Sequence, residues 1–386
     1  MIGQRTGVRR AMAAIVAALP LAVAVGVPAP ALADVPPLKN QWHLAALRVT
    51  EAHRLSTGEG VVVAVVDSGV YAEHPDLAGQ VLDGKRLIGV DDKGKVDEHN
   101  HGTGVAGLIA ARGGGAGHAL GIAPGAKILP VTIATNTFAG SNMAEGIRYA
   151  VDHGAKVINL SNGGPTTTDE LDQAVAYAQS KDVVVVAAAG NAVQGDTKVL
   201  YPARLPGVVA VAATDQKGDR WSGGVRGDQV VIAAPGAAIS TTAGRWPDLR
   251  EGGYLTSEGG TSAATAMVSG AAALIRAKYP EASAAQVVDR LVKTAADAGP
   301  PGRDGEYGFG RLDLVKALTA ELPPVEANPL GAVPVAGADG VDTTGESGSG
   351  SGSVLTMIVG LLVLVVVVVL VVVLLVSRRG RGPARG

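Results

Sequence analysis

The chain has 386 residues, no cysteine and a net charge of −2. This excludes a disulfide-stapled scaffold, thiol catalysis and, without a basic patch outside the C-terminal tail, a nucleic-acid surface. With 47 % apolar and only 18 % charged residues, it carries enough apolar surface for a large core and for membrane segments besides.

In chain order, Arg5, Arg9 and Arg10 precede an apolar run from Ala11 to Val27, and Ala31-Leu32-Ala33 supplies small residues before Asp34. This pattern predicts a secretory signal peptide over 1–33, cut after Ala33. Residues 34–60 form a short N-terminal extension. From 61 to 320 the continuous apolar runs "VVVAVV" (61–66), "KILPVTI" (127–133), "KVINLS" (156–161), "DVVVVAAA" (182–189) and "GVVAVAA" (207–213) have strand length and the valine content of strands covered on both faces. Segments of helical period, 141–153 and 169–180, lie between several of them. The succession predicts an α/β domain, a doubly wound parallel sheet with helices on both faces and function at the carboxyl ends of its strands. Residues 321–353 begin proline-rich and end as a Gly/Ser tract, a composition expected to serve as an unstructured linker. Val354 to Val376 is uncharged and, at about 1.5 Å per residue, long enough for a single transmembrane helix. Arg378, Arg379, Arg381 and Arg385 then place the 377–386 tail in the cytoplasm and the large domain on the far side of the cell membrane.

Three polar residues stand where such a sheet would carry function. Asp67 ends the first strand in "VVDSGV", and a buried carboxylate there needs a partner. His101 opens a helix in "EHNHGTGVAGLIAA" (98–111); the positive end of the helix dipole disfavours imidazolium, so a neutral, proton-accepting ring is expected. Ser262, in "GGTSAATAMVSGAAALIRAKY" (259–279), places a hydroxyl and an unpaired N–H at a helix N-terminus, where negative charge is stabilised. Taken singly, each also reads as a capping residue. A metal reading of His99 and His101 would need further ligands, and without cysteine or a second histidine cluster no metal and no other cofactor is expected.

Together the motifs "VVDSGV", "HGTGVAG" and "GTSAATAMVSG", in the order Asp…His…Ser, resemble those of the subtilisin-like serine proteases. The resemblance runs from Trp42 to Leu318 through "GIAPGAKI" (121–128), "INLSNGG" (158–164), "VVAAAGN" (185–191) and "VVIAAPG" (230–236). It implies that Ser262 attacks a peptide carbonyl, His101 takes and returns the proton, and Asp67 orients the ring. It further implies an oxyanion hole from Asn191 and the Ser262 N–H, and a substrate-binding edge at Ser161, Asn162 and Gly163 along which a polypeptide pairs as an added strand. Ala188, Ala189 and Gly190 would wall a specificity pocket with Leu200 near its base, favouring small side chains. Gly102 is expected to keep the active-site wall free of a side chain. Two departures stand out: Ala264-Thr265-Ala266-Met267 follows the serine where many relatives have a proline, and the loop 111–121 lacks the asparagine that helps hold calcium, so no high-affinity calcium is expected there. The short extension, linker and basic-tailed anchor are similar to the mycosins, membrane-bound proteases that accompany type VII secretion, whose components would then be partners. The alternatives are a catalytically silent scaffold and a general surface protease.

Overall fold

The computed structural model describes residues 41–133, 140–244 and 253–334. The predicted signal peptide, transmembrane segment and tail lie outside them. Among the described residues no helix is long and apolar enough to cross a membrane.

The strands are β1 (Val62–Asp67), β2 (Lys85–Arg86), β3 (Lys127–Thr132), β4 (Val157–Leu160), β5 (Val184–Ala188), β6 (Val209–Thr214), β7 (Ile232–Pro235), β8 (Ala237–Thr242) and β9 (Tyr254–Gly259). The first seven form one parallel sheet in the order β2-β3-β1-β4-β5-β6-β7. All five valine-rich runs are strands, because side chains on both faces can be buried there. The helices are α1 (His43–Ala46), α2 (Val49–His53), α3 (His101–Ala110), α4 (Gly140–Asp152), α5 (Asp169–Ser180), α6 (Thr261–Lys278), α7 (Ala284–Thr294) and α8 (Leu314–Thr319). α4 and α5 pack together on one side of the sheet, while α3 and α6 pack together on the other, with α7 and α8 extending that layer.

Local chemistry explains the helix bounds. Thr168 accepts from the Leu171 N–H at the start of α5, and Asp169, Glu170 and Asp172 place negative charge in its first turn. α6 is buried from Thr261 to Arg276 except at Ser262, which explains its run of small residues. A Cβ on Gly270 would lie 2.6 Å from the Cβ of Ile122, so this glycine permits the close approach. The antiparallel pair β8–β9 was not predicted; β8 lies on α3, where Thr241 and Thr242 donate to the carbonyls of Gly104 and Thr103 at 2.7 Å each.

The linker differs from expectation at its start. Gly207 N donates to Leu330 O at 2.9 Å, Asn328 Nδ2 to Gly207 O at 3.0 Å and Val333 N to Gln179 Oε1 at 3.0 Å. Residues 326–334 thus form a strap across the end of α5 and the approach to β6. The expectation from composition failed because a few side chains suffice: Val333 is buried and Asn328 pairs with a backbone that would otherwise be open.

The extension is also bound to the domain. Trp42 Nε1 donates to Ala237 O at 3.0 Å, and Gln41 exchanges two hydrogen bonds with Leu120. His43 is fully buried and, among the described residues, neither ring nitrogen has a hydrogen-bond partner; burial lowers its pKa to about 3. In the loop 111–121, His118 and Ala119 donate to the buried carboxylate of Asp76, as does Tyr254 OH at 2.7 Å. The charge of Asp76, which lies against that loop, is therefore met by protein donors.

Candidate active site

The turn after β1 and the start of α3 meet at Asp67. Its carboxylate is 1 % exposed, and its oxygens are divided between donors. Oδ1 accepts from His101 Nδ1 at 2.8 Å and from Ser68 N at 2.7 Å, and Oδ2 accepts from Asn162 Nδ2 at 3.0 Å. His101 itself is 41 % exposed on its side chain, open to a substrate. A second buried acid, Asp97, builds the turn that presents it. Asp97 Oδ1 accepts from His99 N and Asn100 N, and Oδ2 from Thr103 N and Thr103 Oγ1. Ser68 bridges the two parts, donating to Asp97 Oδ1 at 2.9 Å and accepting from Gly102 N at 3.0 Å.

Gly102 has a reason other than an open wall. A Cβ there would collide with the carbonyl of Gly69, so glycine lets α3 sit directly on the Asp67–Gly69 turn. The helix dipole is not the largest influence on the ring. The adjacent charge of Asp67 raises the His101 pKa above its ordinary value, partial desolvation of the half-exposed ring opposes this, and the Asp67 hydrogen bond and the charge of Asp97 add to the rise. A full charge at contact outweighs the half charge of a helix end.

Ser262 is the second residue of α6, so its N–H has no intrahelical acceptor. Its hydroxyl donates to Ser161 O at 3.0 Å, and Ser161 Oγ donates back to Ser262 O at 3.3 Å. The hydroxyl therefore points at the predicted substrate edge, and it must leave that carbonyl to reach His101 Nε2. Asn191 is fixed from α6: its Oδ1 accepts from Thr261 N at 3.0 Å and Thr261 Oγ1 at 3.1 Å. This aims the Nδ2 end away, where it donates to Gln194 Oε1 at 3.0 Å. Gln194 thus takes one of the two N–H donors of that amide and leaves the other for the predicted oxyanion hole.

Leu200 lies close to Gly163 and Gly190. A Cβ on Gly190 would lie 2.9 Å from Leu200 Cγ, and one on Gly163 would lie 3.0 Å from Leu200 Cβ. Leu200 therefore fills the space between those two glycines, and its N–H is held by Ala189 O at 2.9 Å. Ala188 and Ala189 are buried, and Ala189 belongs to the hydrophobic core. Asp196 reaches the same wall, accepting from Asn191 N at 2.7 Å. Sequence reasoning missed Asp97, Asp196, Gln194 and Thr261. Of these only Asp97, two residues before the His-x-His pair and six before Thr103, carried a visible capping signal.

The subtilase family profile matches residues 58–310, which hold every one of these groups. The chain belongs to the subtilase family. Thermitase of Thermoactinomyces vulgaris is 38 % identical over 281 residues, 72 % of this chain and 96 % of that protein. Fervidolysin of Fervidobacterium pennivorans is 37 % identical over 314 residues, 74 % of this chain but 45 % of its own length. Among solved structures, MycP1 from Mycobacterium smegmatis matches with a TM-score of 0.67 at 28 % identity, covering 77 % of this chain and 90 % of that one. The MycP3 protease from the type VII (ESX-3) secretion system matches with a TM-score of 0.63 at 32 % identity, covering 74 % and 92 %. This subtilase is thus a subtilisin-like serine endopeptidase, with mycosins among its structural neighbours.

Proposed function

We propose that this subtilase hydrolyses peptide bonds with Asp67, His101 and Ser262 while held at the outer face of a cell membrane, as a mycosin working beside a type VII secretion complex. The observation that carries the catalytic reading is the Asp67–His101 pair at 2.8 Å beside a serine at a helix N-terminus. Ser262 Oγ turns from Ser161 O to His101, gives up its proton to Nε2 and attacks the scissile carbonyl. Asp67 stabilises the imidazolium, and the oxyanion is received by Ser262 N and by the second N–H of Asn191 Nδ2. His101 then protonates the leaving amine, and water resolves the acyl-enzyme by the reverse sequence. The membrane placement is supported by the composition of residues 1–33 and 354–386, and the secretion partners by the likeness to MycP3.

The engagement of the Ser262 hydroxyl by Ser161 O favours a second reading, a silent scaffold for such a complex. A membrane-impermeant fluorophosphonate applied to intact cells separates the possibilities. It should label the wild type and leave Ser262→Ala unlabelled. Labelling only after lysis would overturn the outward placement, and failure to label the folded wild type would leave the scaffold.

Cleavage preference follows from Leu200. Its side chain takes volume that an aromatic residue before the cut would need, so alanine and similar residues should be preferred there. A few methylenes in such a pocket are worth roughly 1–3 kcal/mol, or about 10- to 200-fold in discrimination. A peptide library should show the preference moving towards Phe and Leu in Leu200→Gly, and an unchanged profile would remove Leu200 from the pocket.

A further inference from the structure

Asn162 stands on the predicted substrate edge, yet its side chain turns away to the triad. Nδ2 donates to Asp67 Oδ2 at 3.0 Å, and among the described residues no other side chain or backbone group donates to that oxygen. Asp67 is buried, so without Asn162 this oxygen loses its hydrogen-bond donor in a site poor in solvent. Opposite a carboxylate only the NH2 end of an amide can form the bond, which fixes the direction in which Asn162 is turned. The residue before it, Ser161, touches the nucleophile twice. The segment is itself held firmly: Asn159 Nδ2 donates to Ser161 Oγ at 2.9 Å, and Asn159 Oδ1 accepts from Ser269 Oγ of α6 at 3.0 Å. Two successive residues therefore contact both outer members of the triad.

We propose that Asn162 is a positioning residue for peptide hydrolysis, its amide holding the Asp67 carboxylate in the plane His101 requires and drawing negative charge from Oδ1 towards Oδ2. The charged groups facing His101 are Asp67 at the end of β1 and Asp97 in the loop before α3. The 161–163 segment and Ser262 bring none. With Asn162 in place the carboxylate's pull on the Nδ1 proton is moderated. Without it, more charge rests on Oδ1, the imidazolium is favoured more strongly, and His101 releases its proton only at higher pH.

This takes the Asp67–His101–Ser262 triad as the working centre. Two variants test it: Asn162→Leu, of similar size with no donor, and Asn162→Asp, of the same shape with an acceptor in place of the donor. kcat and KM are measured on a peptide substrate across pH, normalised to centres titrated by a fluorophosphonate. Both variants should lose roughly 10- to 100-fold in kcat, the factor carried by one hydrogen bond to a charged group, with KM little changed. The acid limb of the profile should move to higher pH in Asn162→Leu, and further in Asn162→Asp. Unmoved limbs with a raised KM would make Asn162 a substrate contact and overturn the proposal. The low-field proton resonance of His101 Nδ1–H, followed in a Ser262→Ala background, reads the same pairing without turnover, and an unshifted resonance in Asn162→Leu would also overturn it. A wild type that cannot be labelled would defeat the triad reading instead.

Discussion

Replacing Asp67 by asparagine should lower kcat by roughly 10⁴, the order lost when the triad aspartate of a subtilisin is removed, a magnitude carried over rather than derived from this geometry. The surrounding donors specify how the loss arises. Ser68 N–H faces the oxygen nearest His101, so an asparagine would keep its carbonyl on that side and turn its NH2 towards Asn162. Asn162 can accept by rotating its own amide. The histidine tautomer is then preserved, and what disappears is the charge that supports the imidazolium. Asp67 is the largest influence raising the His101 pKa, so the residual activity should have its acid limb at lower pH than the wild type. A pH–rate profile of Asp67→Asn checks both parts. If the limb stays in place, Asp67 is not what holds the His101 proton.

The second large effect concerns acid stability and has its source far from catalysis. His43 is buried with no hydrogen-bond partner among the described residues, and burial lowers its pKa to about 3 in the fold, against 6.5 in an exposed state. Its folded pKa is lowered, so the unfolded chain binds the extra proton at any pH between the two values. Stability from His43 is therefore fully present above pH 6.5 and is lost as pH falls towards 3. The slope is roughly 1.4 kcal/mol per pH unit, with a ceiling of about 5 kcal/mol over the interval. That approaches the whole stability of an ordinary domain. Urea unfolding of the Ser262→Ala protein, which cannot digest itself, should show this acid sensitivity, and a further His43→Leu change should remove about one proton from it. Equal pH slopes with and without His43 would exclude the explanation.

Much of the fold is visible in the sequence because its strands are covered on both faces. "VVVAVV" and "VVVVAAA" can be little other than buried strands once helices alternate with them. The hairpin β8–β9 is not visible in this way, since "AAISTT" and "YLTSEG" mix polar and apolar residues without a burial pattern. Its position is set by threonine hydroxyls that reach helix carbonyls, a tertiary contact with no local signature. Asp67, His101 and Ser262 are legible from their glycine-bearing motifs, and the Asp67–His101 pairing follows. The direction of the Ser262 hydroxyl and the turn of Asn162 away from the substrate edge are not, because both depend on which of two nearby acceptors wins. His43 is likewise unreadable. A histidine in a short amphipathic helix looks solvated until the partner surface is known.

The strap at 326–334 has a mechanical meaning. Its hydrogen bonds fall on Gln179 and Gly207, beside the strand ends where β5 and β6 begin. Asp67 and Asn191 lie where β1 and β5 finish, and in a parallel sheet those are opposite poles. Tension applied to the chain beyond residue 334 would first be borne by Asn328, Leu330 and Val333, which can peel from the surface one bond at a time. Those bonds stand between such a pull and α8, the sheet and the serine, so the catalytic groups would keep their register until the strap had come away.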